Sequence, residues 1–308
     1  MRLWKTATKV VLIAAVATLL IGPPAQAQTD KPKTTTTTVE TTTTTTTRPW
    51  TEPASRWQKG SDLIGKNVQS RTGENIGDVD DLIVDLDSGR VLYYIVPCDG
   101  KQCAVPAPVM TLPADARHFT FAATKDQLKA YSFEKRSFPN FNDRAYTTQV
   151  YTHYNVRPFW DGSGKTEVTT TTTTTRPATG EHIWYRFPAR TEKGSKLIGM
   201  DVRNQQNENL GKIEDLAIDP DGNRVIYGVL SFGGFLGVGD KFFAIPWSSL
   251  KQTSVDQNQL ILSVDKDRLK NATGFDKKNW PNMAEQRWAT DVHKFYGVEV
   301  YWVDPDKR

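Results

Sequence analysis

The segment 59–96, KGSDLIGKNVQSRTGENIGDVDDLIVDLDSGRVLYYIV, is written a second time at 193–230 as KGSKLIGMDVRNQQNENLGKIEDLAIDPDGNRVIYGVL. Laid side by side without a gap, the copies share Gly60/Gly194, Leu63/Leu197, Ile64/Ile198, Gly65/Gly199, Val68/Val202, Gly77/Gly211, Leu82/Leu216, Asp85/Asp219, Arg90/Arg224 and Tyr93/Tyr227. An internal duplication of this kind requires one small fold made twice. The 308 residues suit that reading, because two modest domains fit with a good part of the chain left over as linker. The expected organisation is a signal peptide at 1–27, a threonine-rich disordered linker at 28–54, a first unit at 55–160, a second linker at 161–187 and a second unit at 188–304.

The leader expectation rests on a basic start, the apolar run 10–21, a Gly22-Pro23-Pro24 break and the small-x-small site Ala25-Gln26-Ala27. The apolar run is short for a membrane span, and no cysteine follows it to take a lipid anchor. Export to the periplasm or the extracellular space is therefore expected, with no membrane association beyond the leader. Arg2, Lys5 and Lys9 lie in that leader, so a formal charge of +4 falls to 4 − 3 = +1 in the mature chain. Such a balance offers no nucleic-acid surface. The two threonine runs, each closing on Arg-Pro at Arg48-Pro49 and Arg176-Pro177, carry nothing apolar to bury and are expected to be solvated tethers.

Within each unit the pattern predicts short strands. Val91, Tyr93 and Ile95 answer Val225, Tyr227 and Val229 on one face, a shared core, while Tyr94 answers Gly228 on a face free to differ. Hairpin turns precede these strands at Asp87-Ser88-Gly89 and at 219–223. The apolar positions Ile76, Val79, Leu82 and Val84 break strict alternation upstream and predict a bulge. After the strand the copies diverge. The first has a tight turn flanked by Cys98 and Cys103, expected to form a local disulfide in an exported protein. The second has a glycine-rich loop in which Phe232, Phe235 and Leu236 offer a contact surface or pack on their own barrel.

Each unit closes with an aromatic tail. Tyr146, Val150 and Tyr154 recur at a spacing of four, as do Trp288, Val292 and Tyr296, and Trp160 and Trp302 follow them. That spacing predicts a short helix docked by one face, with Asn142 or Asn282 where an N-cap could sit. The competing reading is a carbohydrate- or lipid-binding aromatic platform.

Leu63-Ile64-Gly65-Lys66-Asn67-Val68, the turn Gly73-Glu74-Asn75-Ile76-Gly77, Asp81-Leu82-Ile83-Val84-Asp85, Arg90-Val91 and Val105-Pro106 together resemble the PRC-barrel domain. The second copy resembles it as well, from Leu197-Ile198-Gly199 through Gly233-Gly234-Phe235-Leu236-Gly237 to Ile245-Pro246-Trp247. This is the small β-barrel named for the H subunit of the photosynthetic reaction centre and found also in a ribosome-maturation factor. The resemblance implies a compact barrel that binds proteins or pairs with itself, and brings no catalytic residues. The leader and threonine tracts depart from the family's cytoplasmic members.

No other chemistry stands out. Asp78, Asp80, Asp81, Asp85 and Asp87, echoed by Glu214, Asp215, Asp219 and Asp221, lack the calcium-loop spacing and are expected to be solvated. His118, His153, His182 and His293 form no local metal pair, and neither a nucleophile elbow nor a phosphate-cradling loop occurs. The expectation is an all-β chain of two PRC-type barrels, each followed by a short helix and aromatic tail. It is expected to act as an exported, non-enzymatic scaffold with no metal or cofactor, binding a protein of the cell envelope and able to self-associate through its barrels. A glycan- or lipid-binding module using the tails is the alternative. Few contacts are expected to cross the second tether, so that each unit folds alone.

Overall fold

The structure, a computed structural model, describes residues 52–115, 117–161, 186–232, 241–252 and 258–302. The leader, the threonine tracts, His182, Phe235 and Leu236 lie outside the described residues. The first repeat runs β1 (Gln58–Lys59), α1 (Gly60–Leu63), β2 (Asn67–Ser70), β3 (Asn75–Asp78), β4 (Asp81–Asp85), β5 (Val91–Cys98) and β6 (Lys101–Pro106). It continues with β7 (Met110–Thr111), β8 (Phe119–Phe121), α2 (Lys125–Lys129), β9 (Ser132–Phe133) and α3 (Arg144–His153). The second runs β10 (Thr191–Lys193), α4 (Gly194–Leu197), β11 (Asp201–Arg203), β12 (Asn209–Asp219), β13 (Arg224–Phe232) and β14 (Lys241–Pro246). It ends with β15 (Leu250–Gln252), β16 (Gln259–Leu262), α5 (Lys266–Lys270) and α6 (Gln286–Tyr296).

The second repeat forms one curled sheet in the order β14-β13-β12-β11-β16-β15, antiparallel except for the parallel pair β11 and β16. The first repeats the plan in two pieces, β4-β5-β6-β9 and β3-β2-β8-β7. The two pieces exist because of the bulge read from the sequence. In β12 the register jumps between Ile213 and Asp215, passing over Glu214, and at the matching place β3 and β4 part. At the tip of β5 and β6, Asp99 (φ 48°) and Gly100 (φ 79°) both take the left-handed conformation that a two-residue hairpin needs.

Both faces of β5 are buried from Val91 to Val96, the face on which Tyr94 answers Gly228 as well as the shared one. Tyr94 points into the barrel against Phe119, ring centroids 4.8 Å apart. At Gly228 the same space is filled, since an added Cβ would lie 2.8 Å from the Leu250 side chain. The opposite face, carrying Tyr93 and Tyr227, is covered by the tail. Tyr93 meets Phe141 at 4.9 Å and Tyr151 at 5.7 Å; Tyr227 meets Trp288 at 5.5 Å. A strand covered on two sides reads as a continuous apolar run, which is how both copies are written.

The tail helices start after the predicted caps, by one residue in α3 and by three in α6. Asp143, not Asn142, accepts from the backbone N–H groups of Ala145 and Tyr146, and α6 begins after Glu285 rather than at Asn282. Asn282 instead accepts from Ala284 N in the preceding turn. The larger correction concerns autonomy. β1 of the first repeat pairs with β12 of the second, and β10 of the second pairs with β4 of the first, so the repeats are interlocked and many contacts cross between them.

Candidate functional site

The lead-in to each repeat is a polar segment that cannot complete its own structure. Helices α1 and α4 begin at a lysine with no side-chain cap, leaving N–H groups of the first turn without an acceptor. The other repeat supplies it. Ser61 donates to Asp215 through its N–H (3.0 Å) and its hydroxyl (2.5 Å), and Ser195 donates to Asp81 in the same two ways at the same distances. A carboxylate at a helix N-terminus is favoured by the exposed amide dipoles as well. Glycine lets the two backbones come this close: a Cβ at Gly194 would lie 2.6 Å from Leu82 Cγ, and one at Gly60 3.2 Å from Leu216 Cβ.

Arginine clasps flank these exchanged turns. Arg56 binds both carboxylate oxygens of Asp221 (3.0 and 2.6 Å) and also donates to Leu112 O and Pro113 O of its own repeat. Arg190 holds Asp87 by a single bond from Nη2 to Oδ1 and donates at 2.7 Å to Gln252 O of its own repeat. Bidentate arginine is the geometry that holds a carboxylate in one orientation. Lys59 lies over the Trp280 ring at 4.2 Å and Lys193 over Phe138 at 3.4 Å, tail residues of the opposite repeat. Trp57 stacks on Trp280 at 5.8 Å. Where the two hairpins meet, Val91 N donates to Asn223 O, Val225 N to Gly89 O, and Trp247 Nε1 to Leu86 O. The result is a seam in which each repeat does to the other what is done to it.

The seam corrects the reading of the aspartates. Asp81, Asp85, Asp215 and Asp219 are buried, because strand exchange covers them, and each has donors in place of water. Burial pushes the Asp85 carboxyl above its ordinary range, with hydrogen bonds from Ser88 and Asp87 acting against it. Among the described residues no group of three or more His, Cys, Asp or Glu is placed to hold a metal ion. No described helix is long and apolar enough to cross a membrane.

The remaining sequence-predicted residues fall in three places. Cys98 and Cys103 lie at disulfide distance, with Cα atoms 6.0 Å apart at the β5–β6 tip. Replacing both by serine is expected to lower stability by about 2 kcal/mol, the value for so short a closed loop, measured by urea unfolding with and without reductant. Phe232 is half-buried against Phe243 at 6.0 Å, while its loop partners are not described. In the tails, Tyr154 and Trp160 are buried, and Tyr146, Trp288, Tyr296 and Trp302 are half-buried. The centre of each docked face is one residue further round the helix, at Tyr151 and at His293.

His293 sits among Tyr227 (5.5 Å), Tyr301 (5.6 Å) and Trp302 (6.3 Å), with Nδ1 at 2.8 Å from Ala289 O. Burial pushes its imidazole down from 6.5 to about 4, so it is neutral in the folded protein near pH 7. The unfolded chain binds that proton near 6.5 and the folded chain only near 4. The stability contribution is therefore full above 6.5 and declines as pH falls through this window, by on the order of 3 kcal/mol at pH 4 and below. His293→Phe should remove this component from a plot of unfolding free energy against pH; an unchanged slope between pH 6.5 and 4 would refute the assignment.

Arg56, Arg190, Ser61, Ser195 and Trp57 were not singled out by sequence reasoning. A signal was present: Arg56/Arg190 and Ser61/Ser195 keep the same spacing as the matched segments, and identical polar residues in two copies of a fold ask for a partner. No curated protein matches the chain. The family model of the PRC-barrel domain matches residues 59–128 and again 190–269, so that each match holds one copy of the exchanged turn and its acceptor strand. PRC-barrel domains are generally non-catalytic. With a mostly β fold beneath both matches, the chain carries two PRC-barrel domains in tandem.

Proposed function

We propose that the chain is an exported, non-enzymatic scaffold that binds a protein of the cell envelope through its paired barrels. The observation that carries this reading is the seam: within this molecule the PRC fold already works as a protein-recognition element, using strand pairing, a shared helix cap and arginine clasps. The leader-like first residues and a cysteine pair at disulfide distance support an oxidising compartment, periplasmic or extracellular. Interlocking gives a rigid body on which a partner surface keeps its shape. A glycan- or lipid-binding module is the second reading, favoured by the partly exposed rings of Trp280, Trp288 and Trp302 on the second tail and of Trp57 stacked on Trp280. A pull-down from envelope extract, run beside glycan and lipid arrays, separates the two: a protein retained by wild type and lost on surface substitution supports the scaffold. Array binding without a protein partner replaces it.

A further inference from the structure

Each tail opens on the same turn, FEKRSFPN at 133–140 in the first repeat and FDKKNWPN at 275–282 in the second. Backbone pairing fixes its start to the barrel, Phe133 with Gln102 of β6 and Phe275 with Phe242 of β14. The chain then reverses, Ser137 N donating to Glu134 O at 2.8 Å and Asn279 N to Asp276 O at 3.0 Å. Two adjacent cations, Lys135-Arg136 and Lys277-Lys278, thus stand exposed at the tip of each turn. Further along the tails the exposed charges diverge, with Arg144 answered by Gln286, Gln149 by Asp291, Thr152 by Lys294 and Arg157 by Glu299. A third cation comes from the opposite repeat: Lys193 Nζ lies 3.4 Å from the centre of the Phe138 ring, and Lys59 Nζ 4.2 Å from that of Trp280. Each cluster is therefore complete only in the interlocked body. Carboxylates offset it in part, Lys277 lying 3.4 Å from Glu214 and Lys101 3.2 Å from Glu134. Among the described residues Lys135, Arg136 and Lys278 make no ion pair.

We propose that these two turns are a matched pair of binding sites for an acidic polysaccharide, each taking one acid-bearing sugar. This rests on the glycan reading, the second of the two above, and narrows it to carboxylated or otherwise anionic chains. The cations take the acid group through charge-assisted hydrogen bonds. The half-buried ring beside them, Phe138 in one site and Trp280 in the other, offers apolar area to the C–H face of the sugar. A polymer fits better than a single anion, because two like sites held on one body are served by a ligand that repeats the same group along its length. An acidic sugar chain carries both features, charge and apolar face, at every acidic unit. An acidic peptide segment or an anionic membrane supplies the charge without the sugar face. Exposed cations act weakly one by one, so the affinity comes from both sites engaging one chain and falls as salt screens them.

The test titrates the full chain with polygalacturonate, beside neutral dextran, poly-glutamate and phosphatidylglycerol vesicles. Polygalacturonate alone should bind, and raising salt from about 0.1 M to about 1 M, which shortens the screening length from about 10 Å to about 3 Å, should release it. Lys277→Gln with Lys278→Gln should weaken binding roughly tenfold or more by removing one of two sites, and adding Lys135→Gln and Arg136→Gln should abolish it. Lys59→Gln, a change in the other repeat, should weaken the same site as Lys277→Gln. The turn-tip side chains are exposed, so the melting temperature of these turn variants should stay at the wild-type value. Lys251→Gln with Lys294→Gln removes two exposed cations elsewhere and should bind as wild type does. No binding of polygalacturonate, an equal loss in that control, or equal binding of poly-glutamate or vesicles would each overturn the proposal. Dextran bound as tightly, with the turn variants indifferent, would overturn it too while leaving the broader glycan reading standing on the rings, so the two failures are distinguishable.

Discussion

Replacing Arg224 by alanine lowers the folding free energy of the paired body by about 3–5 kcal/mol, the range for breaking a buried ion pair. Arg224 and Asp219 are 2 % and 0 % exposed, with Nε donating to Oδ2 at 3.2 Å. The same guanidinium donates to Glu52 O at 2.6 Å and Tyr301 O at 3.3 Å and lies over the Tyr301 ring at 4.6 Å. It thus ties the β12–β13 turn to the first described residues and to Tyr301 of the second tail. Without it, a buried carboxylate keeps the N–H groups of Asp221 and Gly222 but loses its counter-charge, and two carbonyls lose this donor. Urea unfolding should show the midpoint falling with little change in slope. The double variant Arg224→Met with Asp219→Leu should recover much of the loss, because two apolar side chains leave no uncompensated charge. A single-variant loss under about 1 kcal/mol would mean that the pair is solvated.

Most of each barrel was legible because short-range chemistry decides it. Asp87-Ser88-Gly89 turns a hairpin: Asp85 accepts from Ser88, and Gly89 sits at φ 77°. The misplaced apolar positions between Ile76 and Val84 announced the bulge, since a core face can be kept past an extra residue only by shifting register. The Tyr94 face of β5 differs between the copies, as the pattern allowed: Gly228 leaves room that Leu250 and Ile213 fill from neighbouring strands.

The seam was not legible, because its strands are too short and polar to carry a period. Gln58-Lys59 has no apolar residue, and Thr191-Glu192-Lys193 has none either. Their pairing is fixed by the next two residues of each repeat, a glycine that tolerates close approach and a serine that finds its acceptor on the other repeat. Sequence separation hid this as well: Ser61 and Asp215 belong to different copies, and a tether reads as a reason to expect independence. The aspartates read as solvated are the acceptors of that exchange, so one error produced the other.

Tyr151→Ala should cost about 3–5 kcal/mol, and Trp288→Ala, the larger truncation, only about 1–2 kcal/mol. The sequence spacing selected Tyr146, Val150 and Tyr154, with Trp288, Val292 and Tyr296, as the docked stripes. In the structure the stripe is turned so that Thr147, Val150, Tyr151 and Tyr154 are buried in α3 and its last turn, while in α6 Ala289 and His293 are buried and Trp288 flanks them. Tyr151 is fully enclosed by Tyr93 (5.7 Å), Trp160 (5.2 Å) and Phe159 (6.3 Å), and its hydroxyl donates to Leu92 O at 3.3 Å. Truncation there opens a cavity and strands a carbonyl in the core. Tyr151→Phe isolates the hydroxyl and should lose about 1 kcal/mol. Trp288 is partly exposed where it packs on Tyr227, so only part of its transfer free energy is at stake. Denaturant unfolding of the three variants ranks them, and acrylamide quenching lost on Trp288→Ala reports how open that ring is. If Trp288→Ala proved as damaging as Tyr151→Ala, α6 would be docked by the Trp288 face that the spacing first suggested; a Tyr151→Ala loss under about 1 kcal/mol would show that Tyr151 does not hold the first tail on its barrel.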